Sequence, residues 1–190
     1  MTAGRGVIHS ELPSPEFLRS GGILHGFQLW VNLPASHKMV AARYQGMTAE
    51  QIPSAEGEGY TLRLIGGELL GLRSPVETAI PITYAHLSLR PNHGFDLPLP
   101  VSQEAHLFPF SGDIRVNGAA LEEGCFGSLK ALEAVHVSTE NDGCECLLLA
   151  AKPLHEPMVR YGPFVMNTRH QLIQAIEDYQ QGKLTTPMES

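Results

Sequence analysis

Short apolar runs separated by turn residues dominate the chain between residues 60 and 151. In order they read YTLRLIGG, AIPITYAHLSL, AHLFPF, DIRVNG, CFGSL, AVHVST and CECLLLAA. Several alternate apolar with polar residues, which is the two-residue period of a strand with one buried face. Closely spaced short strands of this kind predict a mainly β fold, either a sandwich or a small barrel.

Two dipeptides in this region predict tight turns. Asn117-Gly118 follows DIRV, and Asp142-Gly143 precedes CECLLL. Both pairs accept positive φ angles readily, so we predict a hairpin at each. The composition agrees, because 17% charged residues, 19 Gly and 14 Pro among 190 residues are typical of a turn-rich globular protein and not of a helical bundle or a disordered chain.

The beginning of the chain also alternates. In GILHGFQLWVNLP, one set of side chains is His25, Phe27, Leu29 and Val31, and the residues between them form the other set. This pattern predicts a strand in a hairpin or beside a neighbouring strand, with His25 interpreted as a hydrogen-bonded histidine of the core and a ligand as the alternative. Residues 46–59 lose the period and collect Gly, Pro, Ser and Glu, which predicts a linker.

The period changes again near the end of the chain. Thr168 and Gln171 have the spacing of a capping box. Apolar residues then recur at helical spacing up to Gly182: Leu172, Ile173, Ala175, Ile176 and Tyr179. We predict one amphipathic helix of about three turns packed on a sheet.

Charge and cysteine content restrict the function. The chain carries 13 Lys+Arg against 20 Asp+Glu and lacks the basic stripe that nucleic acids require. It also lacks a phosphate-binding glycine loop, a nucleophile elbow, a signal peptide and a membrane-length apolar run. Cys125, Cys144 and Cys146 cannot all pair, which predicts a reducing, cytoplasmic setting with no membrane partner. Cys144 and Cys146 are interpreted as structural, with a soft-metal or redox pair as the alternative.

The sharpest chemical feature is His9-x-Glu11. Residues two apart on a strand share a face, so this imidazole and carboxylate can converge on iron, manganese, nickel or zinc. Two ligands are too few for a complete site, and none of the nine histidines forms an H-x-H pair. Glu104-x-His106 is a second such pair, interpreted either as another site or as an exposed glutamate beside an ordinary histidine.

Five segments, taken in order, resemble the pirin family over nearly the whole chain. They are MTAGRGVIHSE, HGFQLWVNLP, RYQ, SPVETAIPITYAHLSL and EPMVRYGPFVMNTRHQLIQAIEDYQQGKL. The resemblance implies two facing cupin-type (jelly-roll) β-barrels, with the end of the chain returning to the first barrel. It also implies one iron, held in the family by an H-x-H pair and an H-x-E pair.

His9 and Glu11 match the second pair, whereas the first has no counterpart in this sequence. We therefore expect a pirin that lacks its N-terminal part, most simply a fragment of a longer protein. The alternatives are strands exchanged between two chains or a partial barrel covered in another way. Iron, or another divalent transition metal, is expected to bind weakly or not at all.

The resemblance also assigns domains. Residues 1–45 are expected to be the last strands of an incomplete first cupin barrel, and 46–59 the linker. Residues 60–151 are expected to form a complete second barrel. Residues 152–190 would be the returning segment and a helix packed on the first barrel.

Three functions follow as hypotheses. The first is a quercetin 2,3-dioxygenase-type enzyme that opens a flavonoid ring with dioxygen, with His9 and Glu11 as metal ligands and Glu11 also accepting the substrate hydroxyl proton. The second is a non-enzymatic protein-binding module or transcription-cofactor-like regulator, whose acidic middle segment favours a basic or protein partner. The third is an inactive N-terminally truncated fragment.

Overall fold

The computed structural model describes residues 1–99, 103–129 and 133–185. The chain divides into two compact units. The central unit is Gln45–Leu154, and the terminal unit combines Met1–Tyr44 with His155–Ser190. The last five residues of the predicted returning segment, 186–190, lie outside the described residues.

The central unit consists of short strands. In chain order they are β1 Ser54–Gly57, β2 Tyr60–Gly66, β3 Glu68–Leu69, β4 Leu72–Arg73, β5 Ile82–Leu89, β6 Gly94–Pro98, β7 Glu104–Ser111, β8 Ile114–Val116, β9 Ala119–Leu121, β10 Gly127–Leu129, β11 Ala134–Ser138 and β12 Cys144–Ala151. One sheet has the order β1-β2-β5-β12-β7-β10, a second has β6-β11-β8-β9, and β3 pairs with β4. The pairs in both larger sheets are antiparallel.

The core lies on one face of each of the larger sheets. Strand β5 alternates strictly, with Thr83, Ala85, Leu87 and Leu89 buried and the residues between them half-buried. Leucines of neighbouring strands join this face, and Leu97, Ile114, Val135 and Val137 join from the second sheet. Each buried leucine or isoleucine side chain contributes about 1.5–3 kcal/mol relative to an exposed one. The mainly β prediction is confirmed, and the period-2 pattern of the apolar runs is its cause.

The two predicted hairpins have different outcomes. Asn117 and Gly118, with φ of 48° and 82°, connect β8 to β9, so this hairpin is confirmed. Asp142-Gly143 connects β11 to β12, which belong to different sheets, so that hairpin prediction is wrong. Gly143 serves a close backbone approach instead, because a Cβ there would lie 2.7 Å from the carbonyl oxygen of Leu89.

The terminal unit contains the helices α1 Pro15–Ser20 and α2 Arg169–Gln180, and a hairpin of β13 Val159–Tyr161 with β14 Phe164–Met166. The predicted capping box is present, because Thr168 Oγ1 accepts from Gln171 N at 3.2 Å and Gln171 Oε1 accepts from Thr168 N at 3.1 Å. Helix α2 packs on the hairpin, where the rings of Tyr179 and Phe164 are 5.9 Å apart. The C-terminal helix is therefore confirmed.

Two expectations about the chain before β2 are not met. Residues 21–34, all described, form no strand, and His25 is exposed, so the core interpretation of this histidine is wrong. Alternation only selects faces, whereas a strand also needs a hydrogen-bonded neighbour, and the bridge of residues 1–45 joins Thr2 to Arg43. The predicted linker contains β1, which pairs with β2 from Ser54 to Gly57. Among the described residues, no helix combines the length and apolar character needed to cross a membrane.

Candidate functional site

His9 and Glu11 lie in an exposed segment of the terminal unit. Residues 5–14 are described throughout and contain neither helix nor strand. The strand on which the same-face argument relied is thus not formed. The assignment of His9 and Glu11 as metal ligands remains a prediction.

The Glu11 carboxylate has a defined partner. Gln28 Nε2 lies 3.0 Å from Glu11 Oε1 and 3.2 Å from Oε2. An amide N–H that donates to a carboxylate leaves most of its lone-pair positions available, since the two oxygens offer about four. Gln28 therefore orients Glu11 without using up its capacity to accept a proton or bind a cation.

The stretch of chain that follows Gln28 holds a buried amine, that of Lys38. Lys38 is only 6% exposed, and its Nζ donates to Asn32 Oδ1 at 2.7 Å. Burial lowers the pKa of Lys38 because it disfavours the charged ammonium, and the negative charge of Glu156 opposes part of that effect. A lysine with this surrounding is fixed in place rather than free on the surface.

Glu156 ties the returning segment to this region. Its Oε2 accepts from Ala35 N at 2.7 Å and from Asn167 Nδ2 at 3.1 Å. Asn167 Oδ1 is buried and has no hydrogen-bond partner among the described atoms.

Residues 28–38 make three of the polar contacts within the terminal unit. Within this segment, Gln28 contacts Glu11, Asn32 contacts Lys38, and the Ala35 N–H contacts Glu156. In the sequence, most of these residues are noticeable only because they lie in segments that resemble the pirin family. No spacing among them predicts the contacts that they make.

His9 and Glu11 have the chemistry of metal ligands but do not form a complete site. An imidazole nitrogen and a carboxylate oxygen suit a divalent transition metal, and His9 makes no hydrogen bond within the described part of the chain. Among the described residues there is no group of three or more His, Cys, Asp or Glu placed to hold a metal ion. Within the described residues the pair has no third protein ligand placed beside it, and two ligands do not by themselves define a metal-dependent catalytic step.

The second predicted pair is engaged elsewhere. Glu104 and His106 lie on β7, and His106 Nδ1 is 3.1 Å from Ser128 Oγ on the neighbouring strand β10. The imidazole also stacks on Phe126, with 4.9 Å between ring centroids. These contacts favour the interpretation of His106 as an ordinary histidine.

The cysteines of β12 lie in the core. Cys144 is 2% exposed and Cys146 is fully buried, and burial raises the pKa of each thiol to about 12. A thiol with so high a pKa is a poor metal ligand and a poor nucleophile at neutral pH. Cys125 is exposed. This arrangement supports the structural interpretation of Cys144 and Cys146.

The sequence of this chain is similar to the sequences of pirins. The Pirin C-terminal cupin domain matches residues 84–185. The chain is 37% identical to Pirin of Homo sapiens over 188 residues, and 36% identical to a Pirin-like protein of Solanum lycopersicum over 197. These matches cover 96% of this chain but 63% and 62% of the relatives, so the chain spans a little under two thirds of their length.

A solved structure is similar as well. A quercetin 2,3-dioxygenase from Acinetobacter baumannii superposes with a TM-score of 0.77 at 30% identity, covering 84% of this chain and 56% of that one. A second structure of a quercetin 2,3-dioxygenase from the same organism gives a TM-score of 0.73 at 23% identity, covering 80% of this chain and 50% of that one, and supports the fold alone.

Proposed function

Because this chain belongs to the pirin family of cupin proteins, we propose that it takes part in metal-dependent oxidation of a small flavonoid-like substrate, with His9 and Glu11 as two of the metal ligands. The observation that carries the proposal is the Glu11–Gln28 contact, which fixes a carboxylate two residues from an imidazole that is free of hydrogen bonds within the described chain. A solved relative that is 30% identical is a quercetin 2,3-dioxygenase, which supports the substrate class.

The two ligands have separate roles. His9 offers a neutral nitrogen and Glu11 a negative oxygen, the mixed set that suits iron, nickel or manganese. When bound, such an ion acts as a Lewis acid that polarises an oxygen of the substrate. Glu11 Oε1 or Oε2 accepts the proton of the substrate hydroxyl group, as a general base within hydrogen-bond reach. Gln28 holds that carboxylate in orientation through its amide N–H.

Metal binding tests this proposal directly. The full chain is titrated anaerobically with iron(II), and the bound iron is measured at equilibrium without a desalting step. We expect weak, saturable binding in the wild-type chain and binding at least about tenfold weaker in His9→Ala and in Glu11→Gln, because loss of even an outer-shell partner of a metal typically costs about 10–100-fold in affinity. Glu16→Gln and His170→Ala serve as controls, because both residues are exposed outside the proposed site.

Oxygen uptake tests the reaction. With quercetin as the probe, we expect oxygen consumption that is lost in Glu11→Gln and retained in Glu16→Gln. Bound iron that does not depend on His9 or Glu11 would contradict the ligand assignment. Iron binding without oxygen uptake would contradict the proposed oxidation and leave the ligand assignment standing.

A second candidate function is protein binding, and one observation favours it. The terminal unit exposes large apolar side chains, among them Ile23 at 94% and Leu24 at 74%. Adjacent exposed apolar residues of this size commonly mark a protein contact. For the wild type and for Ile23→Ser with Leu24→Ser, the mass in solution distinguishes self-association from a monomer. If His9→Ala and Glu11→Ala leave binding to an identified partner unchanged while the serine variants abolish it, protein binding is independent of metal chemistry.

A further inference from the structure

The six-stranded sheet of the central unit has a second face that the core does not use. Opposite the buried leucines, strands β2, β5, β7 and β12 line a concavity of about 380 Å³. We call it the sheet pocket, and it is lined by Thr61, Arg63, His86, Ser88, Phe110 and Glu145. Its volume falls within the range of small-ligand sites, which is about 300–1,000 Å³.

A locked carboxylate lies on one side of the sheet pocket. Glu145 Oε1 accepts from Ser88 Oγ at 2.6 Å, and Glu145 Oε2 accepts from His86 Nε2 at 2.5 Å. The strand register explains both contacts, since Glu145 is directly opposite Ser88 on β5 and diagonal to His86, which is opposite Leu147. An ionised carboxylate only accepts, so His86 Nε2 carries the hydrogen. Both oxygens of Glu145 are therefore directed to β5 rather than to Arg63.

Arg63 is left as the free cation of the sheet pocket. It lies directly opposite His86 in the pairing of β2 with β5, and Thr61 lies opposite Ser88. Within the described residues, neither the Arg63 guanidinium nor the Thr61 hydroxyl makes a hydrogen bond or ion pair. A planar guanidinium presents parallel N–H donors that match a carboxylate.

The remaining wall is aromatic. The Phe110 ring lies 5.6 Å from the His86 imidazole, with 39° between their planes. A flat apolar group placed along these rings gains dispersion and quadrupole interactions that an aliphatic anion does not.

We propose that the sheet pocket binds a small organic monoanion with a flat aromatic ring, its carboxylate on Arg63 and Thr61 and its ring along Phe110 and His86. Arg63 is the cation that a single carboxylate of the ligand contacts, and because the carboxylate of Glu145 also lines the sheet pocket, a second negative charge on the ligand finds no free cationic partner among the described lining residues. Neither His9 nor Glu11 lines the sheet pocket, so the variants that test it leave the proposed metal ligands unchanged.

Benzoate is the probe for the first experiment, which uses the full chain. Titration is followed in amide ¹H–¹⁵N spectra, and we expect saturable shifts at residues 61, 63, 86 and 88. Arg63→Gln should weaken benzoate binding about tenfold, the size expected for loss of one charge-assisted hydrogen-bonded pair. Arg73→Gln is the matched control, because Arg73 is exposed and pairs with Glu68 outside the sheet pocket.

Three further probes separate the parts of the proposal. Benzamide keeps the ring and loses the charge, whereas acetate and inorganic phosphate keep charge and lose the ring, so all three should bind at least about tenfold more weakly than benzoate. Phe110→Leu should weaken benzoate and leave acetate unchanged. If Arg63→Gln does not fold, Arg63→Lys replaces it and should bind benzoate with intermediate affinity.

The following results would contradict the proposal. No saturable shift with benzoate, or equal affinity in Arg63→Gln and Arg73→Gln, overturns the proposal. Phosphate or acetate binding as tightly as benzoate overturns the requirement for an aromatic ring and leaves only an anion site, which contradicts the proposal as stated.

Discussion

Burial of single side chains separates the three cysteines into two chemical classes. Cys144 and Cys146 sit in β12 with thiol pKa values raised to about 12 by desolvation, whereas Cys125 is exposed. In the folded chain we expect one thiol to react rapidly with a disulfide reagent at mildly alkaline pH, and all three after unfolding.

The control for this experiment is Cys125→Ser. It should abolish the rapid phase and leave the two slow thiols, which react only as fast as the central unit opens. Two rapidly reacting thiols in the native wild type would contradict the burial of β12.

Lys38 makes a prediction for pH dependence. Because its pKa lies below the ordinary 10.5, the unfolded chain binds more protons here than the folded chain between the lowered pKa and 10.5. The free energy of unfolding contributed by Lys38 therefore rises with pH across this interval. Lys38→Met removes the amine and keeps the buried stem, so we expect the stability of the wild type minus that of the variant to increase with pH.

Urea unfolding at several pH values, followed by the fluorescence of Trp30, measures this difference. Tyr84, whose pKa is raised by burial, has the opposite dependence on pH, but it titrates alike in both proteins and cancels. A difference that stays flat or falls between neutral pH and 10.5 would contradict the lowered pKa of Lys38.

At the scale of single residues, the sequence predicts which side chains could bind a metal better than it predicts which side chains contact one another. The H-x-E spacing identifies His9 and Glu11 as a candidate pair, but the partner of Glu11 is Gln28, seventeen positions away. Glu156 reaches Ala35 across 121 positions. A single sequence contains no period or spacing that encodes such contacts, because they depend on how separate segments pack.

At the scale of elements, the cap of α2 can be tested alone. Thr168→Ala removes the side-chain acceptor for Gln171 N, which should cost about 1 kcal/mol of helix stability. Thr168→Ser keeps the acceptor and is the matched control. We expect faster hydrogen exchange of the first-turn amides in the alanine variant and wild-type exchange in the serine variant.

Equal exchange in both variants would contradict the role of the cap. The opposite end of α2 provides an internal reference, since the Gln181 N–H bond to Glu177 O at 2.9 Å lies beyond the reach of the substitution.

A local sequence signal predicts a structural element correctly when all the contacts that the element needs lie within a few residues of the signal. The capping box and the Asn117-Gly118 turn need only neighbours a few residues away, and both are present. Asp142-Gly143 signals a turn equally well, yet the strands that it joins pair with other partners. The alternation at residues 25–32 likewise gives no strand in the described chain, because strand formation depends on a neighbour that the sequence pattern cannot supply.

At the scale of the whole molecule, the two units differ in how they use apolar residues. The central unit buries its leucines in one cluster formed by the larger sheets. In the terminal unit, Leu172 is the buried apolar residue of α2, while many large side chains of residues 1–44 are exposed. The assignment of these units as one complete and one partial cupin barrel remains a proposal.

The exposed apolar side chains lead to a prediction about the native chain. Leu12 is 80% exposed, Ile23 94% and Leu24 74%, whereas Phe126 at 57% is the comparable residue of the described central unit. Dyes such as anilinonaphthalene sulfonate bind adjacent exposed apolar groups and fluoresce. We expect the folded chain to bind the dye and Ile23→Ser with Leu24→Ser to reduce the fluorescence substantially.

Phe126→Ser is the control, because it removes a single exposed ring, which stacks on His106 in the central unit, and should leave most of the fluorescence. The core must stay intact during the measurement, which the slow reaction of Cys144 and Cys146 reports in the same sample. If the serine pair and the control reduce dye binding equally, the apolar surface is not concentrated in the terminal unit. If dye binding falls only in the serine pair, residues 23 and 24 form the main exposed apolar surface to which the dye binds.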